Sequence, residues 1–442
     1  MPDQLKSTPL DKATAVALRL VTKAGGLPVL QDPANRKRVE KILFVSTRQG
    51  LRTESVARKT FARINTNGSK PARAKVAKPR QVFDLTPTED QQMIQEAAGE
   101  LAATVLRPAA QEADTKREVS QKVREQAGEL GLTLLGVPDE LGGIAEERSA
   151  VTGVLVTESL AKGDIGLAAA LLAPSAVASA LALYGDAGQQ ATFLPAFTED
   201  EPAHGALAIQ EPQPLFDPLA PKTKATKVGT DLKIDGVKAL VADPENAALF
   251  IISALVEGEP RLVIVEAGTP GLSIEDDPAM GVRAARTGRL ILEGVTVPAA
   301  NVLGSTEDHL DAVRRARLAW AAAAVGGAQA ALDQLIPYVK NREAFGEPIA
   351  HRQAVAFTIA DISIELEGLR LVVLKAAARL DSGKDASQQI AYARQLAATY
   401  ASQIGSHAVQ LLGGHGYVKE YPNERWYRDL RGVGVLEGTL LV

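Results

Sequence analysis

The spacing of apolar residues changes twice along this chain of 442 residues, and the order of those changes limits the fold more than any other feature. Over residues 86 to 199 the pattern is helical: Met93, Ala97, Leu101 and Val105 recur every four residues, which places them on one helix face. Thr86, followed three positions later by Glu89, reads as a capping box at the start of that run. Over residues 206 to 302 short apolar runs and turns take over, with strands expected at 232–236, 249–252 and 262–265. From Asp308 onward helices return, including a long one through Gln353, Phe357, Ala360 and Ile364. No tandem repeat interrupts this order, and the chain is too long for a single core. The expectation is an α+β protein with an N-terminal helical domain (83–204), a middle β domain (205–304) and a C-terminal helical bundle (305–442).

Residues 1 to 82 differ in character. They hold 18 Lys and Arg against five acids, a net of +13, while the whole chain has a formal charge of −4, so the remainder carries −17. Residues 66 to 82 contain too few apolar groups to pack and read as an extended basic linker. Two short apolar patches precede it, at 16–21 and 42–45. Three readings stay open for this extension: a solvated arm, attachment to anionic lipid, or nucleic-acid binding. Cations beside short apolar faces suit a membrane surface. No nucleic-acid reader motif is present, so no nucleic-acid partner is expected. No continuous apolar region follows the start, so it does not read as a secretory signal.

Cysteine is absent, which removes disulfides, thiolate nucleophiles and thiolate metal sites together. The five histidines never form an H-x-x-x-H pair, so no metal site is expected. A reducing cytoplasm is the expected location, with peripheral membrane attachment as one outcome for the extension. Residues 165–184 and 318–332 are apolar enough to resemble membrane spans, but Ala dominates both. Ala transfers little apolar area, so helices packed in a soluble core are the expectation.

One carboxylate is a candidate for chemistry. Glu437 follows Val435-Leu436 and precedes Gly438, an arrangement that suits a catalytic base, although an acid so placed is more often solvated or a helix cap. Upstream lie Gln410-Leu411-Leu412-Gly413-Gly414-His415-Gly416-Tyr417, then Arg428-Asp429, then Glu437-Gly438-Thr439. A second segment reads Arg342-Glu343-Ala344-Phe345-Gly346-Glu347-Pro348-Ile349, with Gln353 four residues on. Pro138-Asp139-Glu140-Leu141-Gly142-Gly143 and Val297-Pro298-Ala299-Ala300-Asn301-Val302-Leu303-Gly304 complete the set. In this order and spacing the motifs resemble those of the FAD-dependent acyl-CoA dehydrogenases, over roughly residues 83 to 442.

The resemblance implies a fold and a reaction. The fold is helical, then β, then helical; the reaction is α,β-dehydrogenation of an acyl-CoA thioester to the trans-2-enoyl-CoA, with Glu437 as base. Its backbone N–H and a ribityl hydroxyl of FAD would hold the thioester carbonyl, as in an oxyanion hole. Some members place the base at the position of Ala316, which cannot serve, and the neighbouring Arg317 matches an Arg that steadies the Glu-bearing loop. For the cofactor, Arg342 would pair with the pyrophosphate. Phe345 and Gln353 would contact the adenosine side, Gln410 would hydrogen-bond the cofactor, Gly414 would allow close approach, and Thr439 would touch the FAD. Several of these reach FAD held by a neighbouring subunit in the family, so a homodimer or homotetramer is implied, with an electron-transferring flavoprotein as redox partner.

The middle domain departs from the family pattern. Thr, Gly and Ser of T-E-P-x-x-G-S-D are replaced by Gln210, Leu215 and Phe216, and W-I-T becomes Leu240-Val241-Ala242. Alternatives therefore remain: a non-catalytic or partner subunit of the same fold with an altered flavin pocket, or an acyl-CoA oxidase.

Overall fold

The computed structural model describes residues 75–76, 85–144, 147–199 and 202–437, all within a compact unit spanning residues 66 to 442. Most of the basic segment 1–82, and Thr439, lie outside the described residues.

The first long helix, α1, spans Glu89–Leu101. Its cap is Thr88, whose hydroxyl accepts the Gln91 N–H at 3.2 Å while the Gln91 side chain accepts the Thr88 N–H at 3.0 Å. The capping box thus forms two residues later than the Thr86–Glu89 spacing predicts. The cause is tertiary: the Gln91 carboxamide also donates to Ser149 and Thr152, which ties the helix start to a neighbouring helix. The buried face is also displaced by about one residue from the predicted one. Ala98, Leu101, Ala102 and Leu106 face inward, whereas Met93 is 63% exposed. A π-helical turn at Ala102–Leu106 shifts the phase at the far end.

Beyond it come α2 (Arg107–Lys116), α3 (Gln121–Gly128), α4 (Ala150–Gly163), α5 (Ile165–Tyr184) and α6 (Ala187–Phe193). Helix α5 is long and apolar enough to cross a membrane, yet 94% of its apolar window is buried inside the protein. It is apolar on every side because it is packed on nearly every side, as the composition predicts.

Two strand fragments, β1 (Lys75–Val76) and β2 (Glu147–Arg148), pair in parallel. The middle domain is an eight-stranded sheet made of β3 (Gly205–Ala208), β4 (Lys224–Val228), β5 (Asp231–Val241), β6 (Leu249–Val256), β7 (Glu259–Glu266), β8 (Leu272–Asp276), β9 (Gly288–Pro298) and β10 (Val302–Leu303). The strands expected from the sequence fall within β5, β6 and β7. Alternation along β6 and β7 serves two cores at once. Leu249, Ile251, Leu262 and Ile264 pack with α5, while Phe250, Ile252, Val263 and Val265 fill the opposite face.

The C-terminal bundle consists of α7 (Thr306–Asn341), α8 (Gln353–Asp381), α9 (Ser387–Leu411) and α10 (Asn423–Gly432), with a hairpin of β11 (Glu343–Ala344) and β12 (Glu347–Pro348) between α7 and α8. Ser305 and Asp308 form the capping box of α7. Its Ala-rich middle lets the backbones of α7 and α4 approach closely. A Cβ on Gly326 would come within 2.1 Å of the Glu158 carbonyl oxygen, so only glycine fits that crossing.

Candidate active site

Glu437 follows α10, and the position of α10 is set by buried charge. Arg428 forks onto both oxygens of Asp114, at 2.8 and 3.0 Å, and onto those of Glu424, at 2.8 and 3.0 Å. Arg425 pairs with Asp164 at 3.0 Å, and Asp429 accepts the Val282 N–H at 2.5 Å. Burial, reinforced by Asp164, pushes the Asp429 carboxyl up to about 8. The Arg428-Asp429 motif is therefore a brace that locks α10 to α2 and to the loop before β9.

After α10 the chain turns, with the Val435 and Leu436 N–H groups donating to the Gly432 carbonyl at 2.9 and 3.0 Å. Val433 and Leu436 are buried in the helical core, so Glu437 emerges from a short segment anchored on both sides. Its side chain is itself buried, at 7% exposure. Arg317 on α7 donates through Nε to Oε1 at 3.0 Å and to Oε2 at 3.2 Å, and Arg394 on α9 donates through Nη2 to Oε1 at 3.2 Å. Burial raises the pKa of Glu437 above the ordinary carboxylate range, while the charges of Arg394 and Arg317 pull it back. Among the described residues its donors are side chains, and a desolvated carboxylate is a stronger base than a solvated one.

Arg394 was not visible from the sequence. Besides Glu437 it donates to the backbone carbonyls of Val433, Gly434 and Leu436, the last two at 3.1 Å each. It is one helical arginine among 49 Lys and Arg, and no spacing rule links position 394 to position 437.

The remaining candidates cluster elsewhere. Arg342 caps the C-terminus of α7 and, with Tyr338, Ile349, Leu412, Gly414 and His415, lines a cavity of about 390 Å³. Gly413 and Gly414 present bare backbone: a Cβ on either would meet nothing within 4 Å. Tyr338, His415 and Tyr421 pack edge to face around it, with ring centroids 5.6–6.4 Å apart. Phe345 is 96% exposed at the hairpin tip with a φ of +56°, and the Arg352 guanidinium lies 5.8 Å from its ring. Gln353 begins α8 and Gln410 is near the end of α9, both exposed.

The candidates thus fall into two groups, one beside Arg317, about three turns into α7, and one at the C-terminal end of that helix. Arg317 and Arg342 stand 25 residues apart along that one helix, about 37 Å at ~1.5 Å per residue. In the middle domain, Leu240 adopts a φ of +52° and Ala242 is buried, while the Gln210 Oε1 atom is buried with no hydrogen-bond partner among the described residues.

Comparison with known proteins follows the same three-part division. Residues 88–201 match the acyl-CoA dehydrogenase N-terminal domain, 206–295 the middle domain and 309–441 the C-terminal domain. The probable acyl-CoA dehydrogenase YngJ of Bacillus subtilis is 35% identical over 370 residues, covering 81% of this chain and 96% of that protein. An acryloyl-CoA reductase (NADH) of Anaerotignum propionicum is 33% identical over 372 residues, covering 81% and 93%. The solved butyryl-CoA dehydrogenase of Megasphaera elsdenii superposes with a TM-score of 0.75 at 29% identity, covering 80% of this chain and 96% of that one. FAD is the cofactor of this family. With all three domains matched in order, and a buried carboxylate where the motifs expect one, the chain belongs to the acyl-CoA dehydrogenase family of flavoenzymes.

Proposed function

We propose that the protein dehydrogenates an acyl-CoA thioester at its α,β bond to the trans-2-enoyl-CoA, with Glu437 taking the α proton. The observation that carries this reading is the Glu437 carboxylate itself: buried, raised in pKa, and held by two arginine side chains rather than by fixed backbone donors. An α C–H beside a thioester is a weak acid, so its removal needs a desolvated base and donors at the carbonyl oxygen. Bound FAD supplies the acceptor for the hydride that leaves the β carbon. An arriving acyl chain expels the remaining water around Glu437, and Arg317 keeps the carboxylate aimed while its basicity rises.

The Arg342–Gly414 cavity, at about 390 Å³, is too small for a whole dinucleotide but suits its pyrophosphate end. It offers a forked guanidinium for a pyrophosphate and open glycine backbone for close approach. Phe345, Gln353 and Gln410 border that end of the bundle, and Thr439 would add a contact beyond the described residues. With Arg317 and Arg342 about 37 Å apart on α7, one FAD cannot touch both sites within one chain. The site is completed in a homodimer or homotetramer, where one subunit's Arg342 end meets its partner's Glu437 end. Exposed Phe357, Ile364 and Leu371, spaced seven apart on α8, supply an apolar face for that assembly.

An electron-transferring flavoprotein is the proposed acceptor, and oxygen, as in an oxidase, the alternative. A second reading rests on the orphaned Gln210 oxygen and on Leu240–Ala242, which replace the family's flavin-facing groups. There the chain would be a non-catalytic partner subunit. One experiment separates these: purified protein that is yellow and bleaches with butyryl-CoA is catalytic, and Glu437→Gln must then keep FAD while losing at least ~10²-fold in turnover. Near-normal turnover in that variant sinks the assignment of the base.

For residues 1–82 we propose attachment to anionic lipid. Removing them is expected to abolish co-sedimentation with phosphatidylserine vesicles at low salt while sparing butyryl-CoA turnover. Equal sedimentation of both forms rules the attachment out.

A further inference from the structure

We propose that Arg394 is a positioning residue for this reaction, fastening the segment 433–437 to α9 through its backbone so that Glu437 is held in place independently of its own carboxylate. The inference rests on the reading of Glu437 as base.

The last turn of α10 leaves carbonyl oxygens without partners inside the helix. Val433, the residue that follows it, has a right-handed φ of −56°, and Gly434 after it is not in the left-handed region, so no glycine-type cap closes the end. At this end the Gly432 carbonyl accepts the Val435 and Leu436 N–H groups, and Arg394 takes the Val433 carbonyl and those of the segment beyond. Its Nη1 collects the carbonyls of Val433 and Leu436, and its Nη2 those of Gly434 and the Glu437 carboxylate. A cation at a helix C-terminus is also favoured by the helix dipole. Its side chain is only 15% exposed, so these carbonyls take the place of water around the guanidinium.

A second contact one turn along α9 points the same way. A Cβ on Gly434 would meet the Ala398 Cβ at 3.1 Å, so the segment lies directly on the helix beside Arg394. Three of the four groups Arg394 holds are backbone. Substrate can therefore draw the Glu437 carboxylate off Arg394 without releasing the segment that carries it. Arg317 differs, because its Nε bonds go to the carboxylate alone. Two guanidinium groups on one carboxylate also weaken it as a base, so loss of one contact on substrate arrival strengthens it.

The test uses full-length, FAD-loaded protein. Hydrogen exchange at the Val435 and Leu436 amides, with kcat and KM for butyryl-CoA, is compared in wild type, Arg394→Gln, Arg394→Lys and Glu437→Gln. Arg394→Gln is expected to speed exchange at those two amides and to lower kcat about 10²-fold, the cost of a misplaced reacting group, with KM within about two-fold. Arg394→Lys keeps the charge but not the fork, so exchange rises and kcat falls by a smaller factor. Glu437→Gln leaves exchange slow. Wild-type exchange and kcat in either Arg394 variant overturns the proposal, as does fast exchange in Glu437→Gln. Should Glu437→Gln turn over normally, the base assignment fails, while the exchange data still decide whether Arg394 holds the segment.

Discussion

Two buried carboxylates in this protein sit beside cations and titrate in opposite directions. Glu211, in the middle domain, is 3% exposed and paired with the fully buried Lys238 at 2.8 Å. Burial pushes its pKa up, but the Lys238 charge and hydrogen bond, with the N–H groups of Thr223 and Lys222, bring it below the ordinary range. Burial lowers Lys238 only to about 8, so both partners are charged at neutral pH. Glu437 is likewise little exposed, yet its pKa ends above the ordinary range. Desolvation weighs more heavily on Glu437, and the donors differ as well. Glu211 accepts from two backbone N–H groups at 2.8 and 3.0 Å and from the Thr223 hydroxyl at 2.7 Å, all fixed by the fold. Glu437 is held by two long side chains at 3.0–3.2 Å. A carboxylate saturated by fixed donors is a structural part; one held by movable donors stays available to take a proton.

The strongest way to break this contrast is Lys238→Met. Leaving Glu211 charged, buried and without its cation is expected to cost about 3–5 kcal/mol in denaturant unfolding. Adding Glu211→Leu should recover little, because the Lys222 and Thr223 N–H groups would then lack an acceptor. Full recovery would show that the pair, not the backbone donors, sets the environment of Glu211.

Glu437→Gln is the counterpart at the other site. Its expected loss is in rate, at least ~10²-fold, with an unfolding midpoint close to wild type. A large fall in stability would place Glu437 in the same structural class as Glu211.

Smaller effects sharpen the picture. Arg342→Ala removes hydrogen bonds to a charged group, worth ~1.5–3 kcal/mol, so FAD binding should weaken about ten-fold or more and the oligomer should loosen, read by flavin content and sedimentation. Full occupancy and intact assembly would make Arg342 a surface residue. Asp429→Asn tests a third buried carboxyl. Its folded pKa of about 8 exceeds the unfolded value of 3.8, so its stabilising contribution is complete below pH ~4 and is lost as pH rises toward 8. The Asn variant cannot ionise and keeps the Val282 acceptor. Its advantage over wild type in denaturant midpoint should grow from pH 5 to pH 9, and an advantage independent of pH would contradict the shift.

Much of the architecture was legible from residue spacing. Strands β5, β6 and β7 appear where short apolar runs lie between turns, and α5 was recognisable as a packed helix from its Ala content. Local rules failed where a neighbour intervened, as when Gln91 reached Ser149 and moved the start of α1 from the Thr86 box to Thr88. The resemblance implies that Arg317 steadies the loop that bears Glu437; in the fold its Nε bonds reach the Glu437 carboxylate itself. Arg394 was not legible in the sequence, since its four partners lie 39 to 43 positions away on a segment with no periodic relation to α9.

Periodicity and motif spacing act through neighbours within a turn or a strand pair, so they specify element type, order and family from the chain alone. Which cation faces which carboxylate depends on how α7, α9 and the chain after α10 are packed against one another. That packing decided that Glu437 is buried between Arg317 and Arg394 and that Arg342 lies at the far end of α7. Electrostatic environment is a property of distance in space, and residues 317, 394 and 437 become neighbours only in the folded bundle.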